Sequence, residues 1–174
     1  MLTTKDLAVS FARSLSAVQT ALQGISDTEC MYQPPFNSNC VNWTLGHILE
    51  NRNHVLKVLG EKPILTEEQA KRYGYGSPPV CQAGSDVLKL DEMLRLLEES
   101  QPRIEAGMAK ISPAALAKEI EFARRKMTVE HQLLFMLCHD FTHAGELDVL
   151  KSLVVSCRPG PRGEEIYGPG APPK

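Results

Sequence analysis

The stretch Leu133-Leu134-Phe135-Met136-Leu137-Cys138-His139-Asp140-Phe141-Thr142-His143-Ala144-Gly145-Glu146-Leu147 places two histidines four residues apart inside a strongly apolar helical run. Four residues advance an α-helix by about 6 Å and turn it by about 40°, so both imidazoles can face one point. That is chelating geometry for a single metal ion, and a tetrahedral or octahedral centre needs at least one more protein ligand. The run starts behind Thr128, a good helix cap, and extends to near Val154 or Val155.

Working outward, three further helices of the same amphipathic kind precede it. Leu7, Phe11, Leu15, Val18 and Leu22 form one apolar stripe between Asp6 and Gly24, with Thr3, Thr4 or Asp6 as cap and Gly24 as terminator. Ser26 to Cys40 reads as a loop. A second helix starts near Asn42 as N-cap and runs through Trp43, Leu45, His47, Ile48, His54, Val55 and Val58 to Gly60. Ser85 or Asp86 caps a third, with Val87, Leu90, Met93, Leu94 and Leu97 as its stripe, which Ile104 and Met108 continue. Pro102 is expected to kink or split that helix. Ser112-Pro113 opens a short helix to about Ile120, and Glu121 to Met127 reads as a connector. No repeat and no alternating strand pattern is evident. The expectation is an all-α, four-helix bundle with long crossover connections over residues 1–155, followed by a Pro/Gly-rich tail at 156–174.

The connection from Glu61 to Gly84 is long and rich in Pro and Gly, with one helical turn expected at Thr66 to Arg72. A segment of that length in a compact domain is more often functional or covering than idle. Tyr73 and Tyr75, together with Trp43 at the start of the second helix, are therefore candidates for the rim of a binding pocket.

The bulk numbers narrow the function classes. A chain of 174 residues with 43% apolar content is long enough for one substantial core. No run approaches the roughly 18 apolar residues of a membrane helix, so no membrane partner is expected. A net charge of -2 lacks the basic field of a nucleic-acid binder, and Arg124-Arg125-Lys126 is too short to supply one. Five cysteines without Cys-x-x-Cys spacing fit reduced thiols rather than a disulfide framework. The first residues do not read as a signal peptide, so a cytoplasmic location is expected.

The five histidines fall on two helices, His47 and His54 on the second, and His131, His139 and His143 on the fourth. His47 and His54 share a face but sit about 10 Å apart along the axis, and His131 lies about 12 Å before His139, so neither spacing serves one ion. A third ligand for the His139–His143 pair therefore comes from His47 or His54, and spacing alone does not choose between them. His131, and whichever of His47 and His54 is not a ligand, fit polar-rim or capping positions. Cys138 and Asp140 are rotated off the ligand face. Glu50 and Glu146, one turn after His47 and His143, are the acids placed to orient an imidazole or a bound water. His139-Asp140-x-x-His143 has the spacing of the zinc-protease helix, but the general-base glutamate is replaced by aspartate and no further histidine follows. A di-iron bundle requires Glu-x-x-His pairs, and none of the histidines has a glutamate three residues before it.

Asn42-Trp43-Thr44-Leu45-Gly46-His47-Ile48 resembles the second-helix signature of the DinB-like superfamily, and His139-x-x-x-His143-Ala144-Gly145-Glu146-Leu147 resembles its last-helix motif, with Glu146 where glutamine is more usual. The resemblance implies a four-helix bundle holding one divalent metal, zinc or nickel, on His47, His139 and His143. It also implies a homodimer. Some members are thiol-dependent S-transferases or maleylpyruvate isomerases, and many have no known reaction. The expected function is accordingly a metal-dependent enzyme for a small-molecule substrate, working by S-transfer with a low-molecular-weight thiol or by metal-assisted hydrolysis. The alternative is a non-catalytic, stress-related dimeric bundle whose metal site is structural or regulatory.

Overall fold

A computed structural model describes residues 3–122 and 124–158. The elements in chain order are α1 (Thr4–Leu22), a single 3-10 turn (Glu29–Met31), α2 (Val41–Val58), α3 (Glu67–Tyr73), α4 (Leu90–Lys110), α5 (Pro113–Leu116), β1 (Glu119–Phe122), β2 (Arg125–Thr128) and α6 (Val129–Ser156). The fold is all-α. Helices α1, α2, α4 and α6 form the bundle, with α1 and α2 each packed against both α4 and α6. Consecutive helices α1 and α2 thus sit across a diagonal, as do α4 and α6, and the connections between them are the long crossovers. The Pro/Gly-rich tail beyond Arg158 lies outside the described residues.

Local chemistry explains most boundaries. Thr3 and Asp6 close a capping box at the start of α1, and Leu7, Phe11, Val18 and Leu22 are buried. Thr128 caps α6 by accepting the His131 N–H at 3.2 Å. Thr66 and Gln69 form a second capping box, which nucleates the short α3. The N-cap of helix α2 lies two residues earlier than its sequence suggests. Cys40 is the N-cap, and the Asn42 side chain turns inward to donate to the Leu88 carbonyl at 2.8 Å.

Three expectations need correction. The N-cap of helix α4 is Lys89, in extended chain, not Ser85 or Asp86, and Leu88 before it is held by Asn42 and by the Tyr73 hydroxyl. Asp27, from the α1–α2 crossover, then accepts the Leu90 N–H at 2.9 Å and replaces the missing local cap. Pro102 does not split α4, which continues through it to Lys110. Its position is exposed, so the carbonyl that loses its partner faces water. Finally, α5 stops at Leu116, and the supposed connector is an antiparallel hairpin pairing Glu119 with Thr128 and Phe122 with Arg125. Arg124 turns it at φ 63°. The hairpin packs on the first turns of α6.

The end of α6 is clasped to the α1–α2 crossover. Arg158 donates to Glu29 at 2.7 Å and to the Gly24 carbonyl at 2.6 Å, and Glu29 also accepts the backbone N–H of Ser26 at 2.8 Å. These donors, Arg158 foremost, pull the Glu29 carboxyl down to about 2. A folded-state pKa below the unfolded value of 4.5 means that the unfolded chain binds the extra proton. The clasp therefore contributes fully above about pH 4.5 and is lost as the pH falls through about 2. Glu29→Gln is expected to flatten that part of the stability profile, and urea titrations at pH 6 and pH 3 check it: the wild-type midpoint should fall more between them than the variant's.

Candidate metal centre

His47 is placed by what surrounds Gly46. The ring of Tyr73 lies directly on the Gly46 backbone, where a Cβ would fall 2.1 Å from Tyr73 Cδ1. Only glycine admits this approach. The Tyr73 hydroxyl is pinned between the Leu88 N–H at 2.9 Å and Asn42 Oδ1 at 3.2 Å. With Tyr73 fixed, its carbonyl accepts from His47 Nδ1 at 2.8 Å. Trp43 stacks on the other side of the imidazole, ring centroids 4.8 Å apart and planes 25° apart, and its indole N–H donates to Ser77 at 3.0 Å. Gly46→Ala should displace Tyr73 and free His47. The expected cost is about 1–3 kcal/mol in a urea titration, with metal affinity down roughly 10–100-fold.

Helix α6 brings the other two rings to the same place. The ring centroids of His47 lie 4.9 Å from His139 and 5.0 Å from His143, and those of His139 and His143 lie 4.3 Å apart. Ligand nitrogens of the three all fall within 4.8 Å of one another. Of the two second-helix histidines that spacing left open, His47 is the one in this cluster. His54 lies on the outer surface, half exposed, with its Nε2 2.6 Å from Glu50.

The donor set fits a divalent cation. His47 gives its Nδ1 proton to a carbonyl and His143 gives its own to Glu146 at 2.6 Å, so in both rings the lone pair is on Nε2, the nitrogen that faces the cluster. His143 Nε2 and His139 Nε2 are 3.2 Å apart. Nitrogens bound tetrahedrally at about 2.0–2.1 Å are separated by about 3.3 Å. Burial, reinforced by the neighbouring His143 and His47, lowers the His139 pKa to about 4, and burial lowers that of His47 as well. Both rings are neutral at pH 7 and need not lose a proton to bind metal. His139 Nδ1 is buried without a hydrogen-bond partner, unlike the Nδ1 of the other two.

Beneath the cluster lies a polar network that sequence reasoning missed. Arg52 and Asp140 form an ion pair at 2.9 Å with both side chains fully buried. Arg52 also donates to Ser100 at 2.9 Å, to Gln101 at 3.4 Å, and to Ser14 and the Phe11 carbonyl at 2.8 Å each. One guanidinium thus joins all four bundle helices. Asn51 donates to Asp140 at 2.7 Å and to the Met136 carbonyl at 2.9 Å, which sets the register of α2 on α6 beside the histidines. The available signal was the triplet Asn51-Arg52-Asn53 between Leu49 and Val55, three polar residues where the apolar stripe should continue.

The remaining candidates divide. Asp140 and Cys138 do point away from the cluster, Asp140 into the core and Cys138 to the surface. Trp43 and Glu146 touch cluster histidines. Glu50 does not hydrogen-bond to one, and its charge only partly offsets the lowering of the His47 and His139 pKa values by burial. Tyr73 is no rim residue, being 0% exposed in the core, and it meets His47 through its carbonyl. Tyr75, at 97% exposure, stands in solvent. His131 is exposed near the start of α6.

A four-helix bundle with histidines from its second and last long helices converging on one point defines a class of proteins able to bind metal. The family model of the DinB superfamily matches residues 10–147, and the chain belongs to that superfamily. Among solved structures it is similar to a conserved protein from Enterococcus faecalis, with a TM-score of 0.69 and 15% identity over 90% of this chain and 99% of that one. This likeness is one of fold. No curated protein matches the sequence. Among the described residues, no helix is long and apolar enough to cross a membrane.

Proposed function

We propose that His47, His139 and His143 hold one divalent ion, zinc or nickel, and that the protein is a metal-dependent transferase joining a low-molecular-weight thiol to a small electrophilic substrate. The observation that carries this reading is the convergence of three imidazoles within 4.8 Å, two of them with the distal Nδ1 proton already committed elsewhere. A divalent ion held by His47, His139 and His143 would supply Lewis-acid chemistry, lowering the pKa of a thiol or water or polarising a carbonyl. The chain's own contribution is positional. The Tyr73 carbonyl and Trp43 fix His47, and Glu146 fixes His143 and makes it the more basic ligand. Metal-assisted hydrolysis uses the same arrangement with water in place of the thiol.

A purely structural metal is disfavoured by the Arg52 network, which ties the four helices together without the histidines. A homodimer is supported by the outer face of α6, where Leu134, Phe141 and Val149 are 39–58% exposed. The reading is tested with metal-loaded protein, a small thiol and 1-chloro-2,4-dinitrobenzene. The thiol loses its proton to solvent, the C–S bond forms and chloride leaves. The expected result is a rate above that of thiol with free metal, abolished in His139→Ala. A wild-type rate equal to that background overturns the thiol reading.

A further inference from the structure

Helix α6 carries apolar residues all round, although only one side of it, with Met136, Asp140 and Leu147 at its middle, is buried in the bundle. Cys138 is exposed and lies opposite that side, at the centre of the outer face. Leu134, Phe135 and Phe141 stand around it, and Val149 follows three turns on. All four are 39–58% exposed, and they are four of the seven exposed large apolar side chains among the described residues. Such a concentration on one face marks an interaction surface. Charge is distributed lengthwise along the same face. Arg125 stands opposite Phe122 in the hairpin and projects from the same side, toward the edge of α6 where Phe122 meets Phe135 with ring centroids 5.9 Å apart. The hairpin joins α6 at Val129, about 13 Å before Cys138. Glu146 lies on that same edge, about 20° around the helix from Phe135, but about 12 Å beyond Cys138. Arg125 is exposed and has no ion pair among the described residues. Glu146 is 53% exposed, and its Oε2 accepts from His143 Nδ1.

The geometry points to a second copy of the chain packed antiparallel on this face, with the two-fold axis at Cys138 and the partner's Arg125 reaching Glu146 beside the metal centre. This inference rests on the homodimer reading above and gives it a register. An antiparallel two-fold sets each edge of the face against the same edge of the partner, with positions equally far before and after Cys138 in contact. On one edge Leu134, about 6 Å before Cys138, meets the partner's Phe141, about 4.5 Å after it. On the other, Phe135 meets the partner's Thr142, and Glu146 meets the hairpin end with the partner's Arg125. A parallel pair would instead set each Arg125 on its own copy and each Glu146 on its own copy, so charge selects the antiparallel one. Asp148 and the partner's Glu130 fall at the outer rim, where water and salt screen them. Each copy thus supplies a charge to the carboxylate that orients the other's His143.

The test uses full-length protein in sedimentation velocity and cross-linking. The wild type is expected to sediment as a dimer. Phe141→Glu and, as a second variant, Leu134→Lys should each raise the dimer dissociation constant at least about tenfold. Both positions are partly exposed, so both variants should fold as the wild type does, which circular dichroism checks. With Cys81→Ser and Cys157→Ser, Cys138 is the one exposed cysteine left among the described residues, and a short bis-maleimide should then join two chains through it. Arg125→Glu should weaken the dimer about tenfold, and adding Glu146→Arg should recover most of that loss. A monomeric wild type, a dimer indifferent to both Phe141→Glu and Leu134→Lys, or one that Cys138 does not cross-link overturns the proposal. A double charge reversal no tighter than Arg125→Glu alone overturns it as well. Metal content is measured separately, so the dimer can fail while the metal centre stands.

Discussion

Asp140→Ala is expected to destabilise the bundle by about 3–5 kcal/mol, a large part of the roughly 5–15 kcal/mol available to a domain of this size. The reason is what remains behind. Arg52 has no exposed side-chain surface, and without Asp140 its positive charge keeps only neutral partners. A double replacement by apolar residues, Arg52→Met with Asp140→Leu, should be far milder than either single change, because no buried charge is stranded. Burial in fact pushes the Asp140 carboxyl above the ordinary carboxylate range, against the pull of Arg52, Asn51 and Ser14. The pair therefore fixes position more than it adds stability. Urea midpoints of the two single variants and the double one decide this, with the double variant lying nearest the wild type.

The double variant should also separate folding from the site. Asn51 reaches Asp140 and the Met136 carbonyl together, so the α2–α6 register at the histidines depends on this network. A folded protein with weakened metal binding is the expected phenotype. Metal titration alongside the urea midpoint reads both.

The parts of the fold that repeat were legible in the sequence, and the parts held by single long-range contacts were not. Four apolar stripes at helical spacing gave the bundle, and His139 and His143 were visible as a pair because one helix carries both. His47 could be separated from His54 only through the resemblance of its Trp43–Ile48 surroundings, since the Tyr73 carbonyl that fixes it comes from 26 positions away. The start of α4 was misread because its cap, Asp27, belongs to another segment. The hairpin was missed because four residues of alternation in Glu119–Phe122 are too few to register, and its turn uses Arg124 rather than glycine. Arg52 was overlooked because a charged residue in a helix ordinarily marks the solvent side. Here it marks the centre.

The second large effect concerns the metal. Loss of a ligand should cost more affinity than the roughly 10–100-fold expected for an outer partner such as Glu146. Because the Arg52 network does not depend on the histidines, His139→Ala should stay folded, with a metal-free stability within about 1 kcal/mol of the wild type. A structural metal predicts the opposite, a chain that unfolds when the ion is removed. The most direct measurement is the metal content of protein purified without chelators and without a histidine tag, by elemental analysis per chain. One divalent ion per chain, absent from His47→Ala, His139→Ala and His143→Ala, is the expected result. A wild-type protein without stoichiometric metal, or an ion retained when these histidines are removed, would contradict the metal centre.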